Sequence, residues 1–264
     1  MRPRNTRKSA GFGEVHCAVA GRLLMALALA SAIGESASSQ DTTWRPPAKR
    51  GDALRVLVVT GGHDYDASFD SVFEGHDDLD ARVDPHPNAF RGDFRKRTDV
   101  LVLYDSIRSL EPERRQHLRA FVEAGKGVVI LHHAICDSVD WPWWYEEVAG
   151  GRWLFEPAGG LPATTFRHDE EIEVRPAGAH PITRGVPAFR IWDETYKGLW
   201  ISPRVKPLLQ TDHPRSDRPL AWVSPYEKSR VVYIQLGHGR SAHLHPEYRR
   251  LVRNAILWSA GKLQ

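Results

Sequence analysis

The stretch "GKGVVILHHA", Gly125–Ala134, decides the fold. Its centre, Val128–Leu131, is apolar and rich in β-branched residues, which is typical of a strand buried on both faces of a sheet. Two adjacent histidines, His132 and His133, follow the strand directly, and the aromatic run "WPWWY" comes at 141–145. A core strand that ends on two imidazoles predicts a cleft with chemically active side chains beyond this strand end.

The chain before this stretch predicts a parallel sheet. Two further apolar runs, Arg55–Thr60 and Val100–Tyr104, each lead into polar residues. After the second run, Glu111–Ala124 has apolar residues at helical spacing and a proline suited to the first helical turn. Strand, helix and strand in this order, with continuously apolar strands, indicate a parallel sheet covered on both faces.

The second half of the chain contains more predicted strands than helices. A closing helix is predicted over Pro246–Gly261, because its apolar residues share one face. The predicted strands are Glu171–Val174, Phe189–Trp192, Pro207–Gln210, Leu220–Val223 and Val231–Leu236. The whole pattern predicts one α/β domain with a doubly wound, mostly parallel sheet flanked by helices, and ligands bind such sheets beyond the carboxyl ends of the strands.

Composition excludes several classes of protein. The 264 residues are 41% hydrophobic and 26% charged, with a formal net charge of only +3. The sequence has no long basic tract and no zinc-finger spacing. We therefore expect no nucleic-acid partner.

Residues 1–40 have the order of a secretory signal peptide: basic residues, a short apolar run at Leu23–Ile33, then small residues. We predict a signal peptide at 1–40, a linker at 41–53 and a folded domain at 54–262. A disordered basic N-terminus or a membrane anchor are the alternatives, although the apolar run is short for an anchor. Export would place the mature protein in the periplasm or outside the cell, without a membrane span. Cys136 would then be its only cysteine, which excludes an intrachain disulfide.

Several polar residues come directly after predicted strands. They are His63 in "VVTGGHDYD", Asp105 in "VLVLYD", His132 and His133 in "VVILHH", and His238 in "VVYIQLGHG". Because the carboxyl ends of parallel strands meet at one edge of a sheet, we expect these groups to converge there. Helix capping or solvent exposure would also explain His63 and Asp105. His133 should point away from His132, since neighbouring strand residues alternate in direction, and so should play a supporting part.

The stretch "FRIWDETYKG" adds Asp193, Glu194 and Tyr196, where a carboxylate could orient or deprotonate an imidazole or act as a general acid or base. A solvated surface strand is the alternative. Trp141 could stack on a sugar, although ordinary packing explains most aromatic clusters. Cys136 lacks the tight glycine-flanked elbow that would present a nucleophilic thiolate, so a small buried residue is the preferred interpretation.

Together, "RVLVVTGGHDYD", "GKGVVILHHA", "HPITRGVPAFRIWDETYKG", "PLAWVSPYEKSRVVYIQLGHG" and "YRRLVRNAILWSAG" resemble the ThuA-like family, named for trehalose utilisation. The resemblance runs from about Leu54 to Gly261. It implies a flavodoxin-like, class I glutamine amidotransferase-like fold. His132 falls where such amidotransferases carry their cysteine nucleophile, and His238 matches their catalytic histidine. Glutamine hydrolysis by a thiolate is therefore not expected.

The resemblance also implies carbohydrate catabolism, in particular conversion of 3-keto-disaccharides or other 3-keto-glycosides. His132, Glu194 and His238 are the implied catalytic residues. Together with the strand-end and aromatic patterns above, this substrate class makes His63, Asp105, His133, Trp141 and Tyr196 the expected substrate-binding residues. The implied partners are a small carbohydrate substrate and an upstream sugar 3-dehydrogenase. A divalent metal is left open as a cofactor and no nucleotide cofactor is expected. Two other classes stay open: a metal-dependent hydrolase of another glycan-derived substrate, and a sugar-binding domain without activity.

Overall fold

The structure is a computed structural model that describes residues 51–86 and 88–264. The predicted signal peptide, 1–40, and residues 41–50 of the predicted linker lie outside the described residues. No helix among the described residues is both long and apolar enough to cross a membrane.

Strands make up most of the regular structure. In chain order they are β1 (Leu54–Gly61), β2 (Leu79–Pro85), β3 (Val100–Asp105), β4 (Gly127–Leu131), β5 (Gly151–Arg152), β6 (Thr165–Pro176), β7 (Phe189–Lys197), β8 (Trp200–Ile201), β9 (Lys206–Gln210), β10 (Pro219–Val223) and β11 (Val231–Ile234). The α-helices are α1 (Pro112–Glu123), α2 (Arg240–His243) and α3 (Pro246–Ser259). Short 3-10 helices span Ala67–Val72, His132–Cys136 and Pro181–Thr183, and a π-helix spans Trp143–Ala149.

Nine of these strands form one sheet in the order β2-β1-β3-β4-β11-β10-β9-β6-β7. The pairings from β2 to β11 are parallel, and those from β11 to β7 are antiparallel. The α/β fold class is confirmed, with a parallel half and an antiparallel half in one mixed sheet. The parallel half brings the ends of β1, β3, β4 and β11 to one edge.

The sheet is buried on both faces because alternate residues of its central strands enter two cores. Val56 and Val58 of β1 pack in the core that holds α3, whereas Leu57 and Val59 pack in the core that holds α1. All five residues of β4 are buried. Burying each such aliphatic side chain contributes about 1.5–3 kcal/mol. Continuous apolar runs in the sequence are therefore the signature of this two-sided burial.

The edge strand β2 was not predicted from the sequence. In "LDARVDP", Leu79 and Ala81 are buried, while Asp80 and Arg82, which alternate with them, are exposed. An edge strand of this kind has one neighbour, β1, and needs only one apolar face. The short alternation with charged residues gave no continuous apolar run to detect.

A buried histidine links α2 to the first 3-10 helix. His243 Nε2 donates to the Gly237 carbonyl at 2.9 Å, so its Nδ1 carries the lone pair. The Ser68 hydroxyl lies 2.9 Å from that Nδ1 and donates to it. Tyr104 donates its hydroxyl to the same carbonyl at 2.6 Å. Both nitrogens are thus used by the neutral ring, and burial lowers the pKa of His243 to about 4.

We expect His243 to make the fold acid-sensitive. The unfolded histidine has a pKa near 6.5, so the unfolded chain binds this proton more tightly and stability falls as pH drops from about 6.5 towards 4. Between pH 7.5 and pH 5 the loss should be about 2 kcal/mol. Urea unfolding of wild type and His243→Gln at both pH values checks this. The variant should be less stable at pH 7.5, but its loss on acidification should be smaller by that amount. Equal losses in the two proteins would contradict the prediction.

Candidate active site

Three side chains from distant parts of the sequence meet at the carboxyl edge of the parallel strands. His132 follows β4, Glu194 lies in β7 and His238 follows β11. His132 Nε2 lies 3.1 Å from Glu194 Oε2 and 3.3 Å from His238 Nδ1, and the latter two atoms are 3.5 Å apart. His132 and Glu194 are buried, while one third of the His238 side chain is exposed. We refer to these three residues as the triad.

His132 sits on a backbone turn that its residue type rarely adopts. Its φ is +50°, in the left-handed region, where a non-glycine residue is uncommon. The turn ends β4 and starts the 3-10 helix His132–Cys136. Strain of this kind concentrates at functional sites and persists only where the surrounding structure enforces it. The turn presents the imidazole beyond the end of the central strand.

The ring orientation of His132 is fixed by its backbone partner. Nδ1 lies 2.7 Å from the Gln235 carbonyl oxygen, which can only accept, so Nδ1 carries a proton. Nε2 is then the atom that faces Glu194 and His238. A histidine that donates one N–H to a carbonyl and directs the other nitrogen into a cluster has the arrangement of a metal ligand or of a proton-transfer residue.

Glu194 carries its negative charge into this buried position. Burial alone would raise the pKa of Glu194, but the hydrogen bond and charge of His132, followed by His238 and the Tyr196 hydroxyl, hold it below its ordinary value. The Tyr196 hydroxyl lies 2.9 Å from His132 Nε2, and burial raises the pKa of this phenol well above its ordinary value. Burial, and then the charge of His132, lower the pKa of His238. At neutral pH the site therefore holds a carboxylate, a neutral phenol and a neutral His238.

Asp193 positions His238 through the backbone. Its Oδ2 accepts the Gly237 N–H at 2.8 Å, and its Oδ1 accepts the N–H groups of His238 and Glu194, both at 2.9 Å. The sequence offered Asp193, like Glu194, as a carboxylate that could act on an imidazole, but in the structure its oxygens accept backbone N–H groups instead. Because neighbouring strand residues point to opposite faces, Asp193 lies behind Glu194 and ties β7 to the turn that carries His238.

Replacing Asp193 with asparagine should impair the site without removing any triad atom. The new amide N–H₂ would face a backbone N–H, so at least one buried donor would lose its acceptor, at about 1–3 kcal/mol. We expect a lower melting temperature and a turnover at least about tenfold lower, since His238 loses its fixed turn. Thermal unfolding and steady-state kinetics measure the two effects. The surface variant Asp80→Asn is the control. Wild-type kinetics in Asp193→Asn would show that the hydrogen bonds of Asp193 do not position His238.

The triad also fits a divalent cation. Ligand atoms at about 2.0–2.1 Å from a tetrahedral zinc lie roughly 3.3–3.4 Å apart. The three triad atoms, one on each residue, are 3.1–3.5 Å apart. Two histidines and one carboxylate are also the ligands of open catalytic metal sites. The carboxylate and an unprotonated Nε2 at 3.1 Å would repel each other, so a positive charge must lie between them. A proton on His132 or a cation supplies it.

Two further histidines, His133 and His63, extend the cluster beyond His132. His133 is buried and stacks on the exposed ring of His63, with ring centroids 4.5 Å apart. Its Nε2 donates to the Tyr104 carbonyl at 3.3 Å. Burial, and then His132, lower the pKa of His133 to about 2, so the ring is neutral. The structure thus places His63 and His133 next to the triad, with His132 and His133 rings 5.2 Å apart.

Two predicted binding residues lie elsewhere. Asp105 is buried, and its Oδ2 lies 2.6 Å from His86 Nε2. The buried Asp137 interacts with it, and burial and then the charge of Asp105 raise the pKa of Asp137. Trp141 packs against Trp143, 4.8 Å between ring centroids. No contact joins Asp105 or Trp141 to the triad among the described residues.

The sequence pattern did not predict His168 as a site residue. Its Nδ1 lies 3.1 Å from Glu194 Oε1, the carboxylate oxygen that faces away from His132, and its ring centroid is 4.6 Å from that of His238. The pairing of β6 with β7 is irregular between Arg167 and Glu170, and this β-bulge carries His168 to the site. The surrounding residues, "TFRHDEE", are mostly charged and show no apolar periodicity, so no local sequence pattern indicated that His168 belongs to a site.

Cys136 does not contribute a nucleophile. It is buried, and burial raises the pKa of its thiol. A thiol in this state is protonated and unreactive at neutral pH. The elbow position where a thiolate would be expected is occupied by His132.

The protein is an α/β domain with a large mixed sheet flanked by helices, and the triad lies at the carboxyl edge of the parallel strands of that sheet. A sequence profile of the ThuA family, described as trehalose utilisation, matches residues 55–259. The chain belongs to the ThuA family.

Solved structures agree on the fold. A ThuA-like protein from Parabacteroides merdae superposes with a TM-score of 0.65 at 19% identity, covering 80% of this chain and 92% of its own. A ThuA-like protein from Bacteroides uniformis has a TM-score of 0.58 at 19% identity, with coverages of 83% and 97%. The Salmonella typhimurium cytoplasmic protein STM3548 has a TM-score of 0.58 at 13% identity, with coverages of 78% and 99%. No curated protein matches the chain.

Proposed function

We propose that this protein is an enzyme of carbohydrate catabolism that cleaves or converts a 3-keto-disaccharide or another 3-keto-glycoside. The observation that carries the proposal is the triad itself: two imidazole nitrogens and a carboxylate oxygen lie within 3.5 Å of one another at the carboxyl edge of the parallel strands. Membership of a family described as trehalose utilisation supports the substrate class. The absence of a thiolate nucleophile at the elbow argues against amidotransferase chemistry.

A 3-keto group makes the neighbouring C2–H acidic, so the glycosidic bond can break by elimination. His238, neutral and partly exposed, takes the proton from C2. The electron pair passes through the enolate, the bond from C1 to the glycosidic oxygen breaks, and the protonated His238 returns its proton to the leaving oxygen. Water then adds across the double bond to give the free 3-keto sugar. Glu194 holds both imidazoles in place, and His132 lies where it can face the enolate oxygen.

The positive charge between Glu194 and His132 would stabilise the enolate. The triad residues would hold a divalent cation in the same place, and such a cation polarises a ketone oxygen as a Lewis acid. Both versions use the three triad residues, but in the version with a cation His238 would be a ligand, so the neighbouring His168, whose ring centroid lies 4.6 Å from that of His238, would take the C2 proton. They differ in whether chelators abolish activity.

The test is a cleavage assay with a 3-keto-disaccharide, such as 3-keto-trehalose, followed by chromatography of the released monosaccharides. Release by wild type, and its loss on substitution of the triad, would support the proposal. A protein that releases no product from a panel of 3-keto-disaccharides would refute it. The upstream partner in this scheme is a sugar 3-dehydrogenase that forms the ketone.

A sugar-binding domain without turnover is the second candidate. Exposed aromatic rings close to the triad favour it, because such rings stack on sugars. Glycan binding that persists unchanged when triad residues are replaced, without turnover, would support this candidate over the enzyme.

We also propose that the protein is exported to the periplasm or the cell exterior. Its support is the signal-peptide pattern of residues 1–40. After expression of the full chain in a Gram-negative host, cell fractionation and N-terminal sequencing should find a shortened protein outside the cytoplasm. A full-length protein in the cytoplasm would refute export and leave the catalytic proposal intact.

A further inference from the structure

Two buried carboxyl groups lie against each other outside the triad. Asp105 is the last residue of β3, and Asp137 directly follows the 3-10 helix His132–Cys136. Both residues are almost completely buried, at 2% and 6% exposure, and their side chains share a hydrogen bond. Two carboxylates have no proton to share, and adjacent negative charges away from water repel each other strongly. Either a proton or a cation must therefore lie between them.

The space beside the two carboxyl groups fits a proton but not a cation. It is a cavity of about 10 Å³, which is at the lower limit for one water molecule. Its walls are largely apolar and include Leu118 of α1 and Trp144 of the π-helix. The side-chain oxygens that line it belong to Asp105, Asp137 and Ser138. Calcium and magnesium require about six or more oxygen ligands, so the pair holds a proton.

Asp137 is the group that carries the proton. Asp105 Oδ2 lies 2.6 Å from His86 Nε2, and a carboxylate oxygen accepts this hydrogen bond from the imidazole. In the described part of the chain, no N–H or hydroxyl group donates to the buried Oδ1 of Asp105, so a protonated Asp137 supplies the missing donor. Asp137 Oδ1 accepts the Ile107 N–H at 2.6 Å. Burial, and then the charge of Asp105, raise the pKa of Asp137 well above its ordinary value.

The acid pair joins β3 to the segment that carries His132. The Asp137 N–H closes the 3-10 helix on the Ala134 carbonyl at 3.1 Å, and the Ser138 N–H donates to the Ile107 carbonyl at 2.9 Å. Non-glycine residues with a positive φ lie at both ends of this segment, at +50° for His132 and +48° for Ser138. Such strain persists only where the surrounding structure enforces it. The contacts of Asp137 enforce it at the Ser138 end.

We propose that Asp105 and Asp137 share one proton, held on Asp137, and that this acid pair fixes the segment 132–138 against β3 and so positions the imidazole of His132. Asp137 is a positioning residue, since it acts on His132 through the segment between them. Loss of the proton places two negative charges in contact at a buried site, so the segment relaxes as pH rises. The inference goes beyond the proposed function and depends on no substrate.

Asparagine at the two positions distinguishes a shared proton from ordinary packing. In Asp137→Asn the amide reproduces a neutral acid, because its oxygen accepts the Ile107 N–H and its N–H₂ donates to Asp105. In Asp105→Asn one of the two donors, His86 or Asp137, faces an N–H₂ group instead of an oxygen. Asp137→Asn should therefore be at least as stable as wild type at pH 8, whereas Asp105→Asn should have a lower melting temperature.

Urea unfolding of the full protein from pH 5 to pH 8 measures the proton. An unfolded aspartate has a pKa near 3.9, so above that value the folded wild type binds one proton more than the unfolded chain, until the raised pKa of Asp137 is reached. Across this window the ratio of folded to unfolded wild type should fall about tenfold per pH unit relative to Asp137→Asn. His243 titrates alike in both proteins, so its effect cancels in the comparison.

Asp99→Asn is the matched control for the unfolding experiment. The hydrogen bond from Arg55 holds the pKa of Asp99 below its ordinary range, so this carboxylate stays charged from pH 5 to pH 8. The stability of Asp99→Asn should therefore follow that of wild type in parallel over this range.

The position of His132 is measured by NMR without any substrate. Its Nδ1–H donates to the Gln235 carbonyl and is buried, so it exchanges slowly with water and gives a proton signal that is absent in His132→Ala. With rising pH this signal should shift or broaden in wild type and stay in place in Asp137→Asn. In Asp105→Asn it should be displaced throughout.

Parallel stability curves for wild type and Asp137→Asn, or failure of Asp137→Asn to fold, would overturn the shared proton. The same His132 signal in wild type and both asparagine variants would overturn the positioning role. Failure of Asp105→Asn to fold agrees with the proposal, and the comparison of wild type with Asp137→Asn then decides it. Because no measurement uses a sugar, absence of turnover would refute the proposed enzyme and leave the acid pair intact.

Discussion

Replacing Glu194 with glutamine is expected to reduce kcat/KM for a 3-keto-disaccharide by roughly a thousandfold. The substitution keeps the size of the side chain and removes its charge. Glu194 Oε2 lies within 3.5 Å of both His132 and His238, so the loss of charge removes the group that orients the two imidazoles and balances their protons. Steady-state kinetics on the purified variant, with circular dichroism to confirm folding, measures the effect.

The matched control is Glu173→Gln, the same chemical change on β6 at a side chain that is 54% exposed and pairs with Arg175. Exposed ion pairs of this type contribute little, about 0–1 kcal/mol, so the control should keep wild-type kinetics. If Glu194→Gln keeps more than half of the wild-type kcat/KM while the protein turns over, the catalytic assignment of Glu194 is wrong. His132→Ala should be at least as inactive, because it removes the nitrogen at the centre of the cluster.

The second prediction with a large effect is that activity depends on a bound divalent metal ion. Purified protein is expected to contain one divalent cation per chain, and a chelator should reduce activity at least a hundredfold, with recovery on adding zinc. The reason is geometric: three ligand atoms at 3.1–3.5 Å, with His132 already held by a carbonyl hydrogen bond on its other nitrogen. Metal analysis by mass spectrometry is the primary measurement. The melting temperature is the second, since a ligand present at a hundred times its Kd adds about 2.7 kcal/mol of stability.

Two variants make the metal experiment specific. His132→Ala should lose the cation and the rise in melting temperature on adding zinc. His243→Gln, a buried histidine outside the triad, should keep both. A metal-free protein that cleaves its substrate at full rate in chelator would assign the triad to acid–base chemistry alone, with the positive charge supplied by a proton on His132.

Much of the fold could be predicted because its signals are local. The apolar runs of β1, β3 and β4 report burial on both faces of a sheet, and the proline and apolar spacing of α1 report a helix. The edge strand β2 was not predicted, because its alternate charged residues leave only one apolar face. The antiparallel pairing of β9, β6 and β7 was not predicted either, since the direction of a strand depends on how the segments between strands connect them and not on residue type.

The sequence by itself determined that histidines end two core strands, and that a carboxylate and a tyrosine lie in a third motif. Only the tertiary structure decided which of these groups meet. Asp105 pairs with His86 instead of joining the triad, and a β-bulge delivers His168 from a stretch without any pattern. Burial and periodicity can be recognised from the pattern of neighbouring residues. Strand register, bulges and crossovers instead bring together residues far apart in the chain. The candidate site is assembled by these long-range pairings, so the sequence pattern could not specify it.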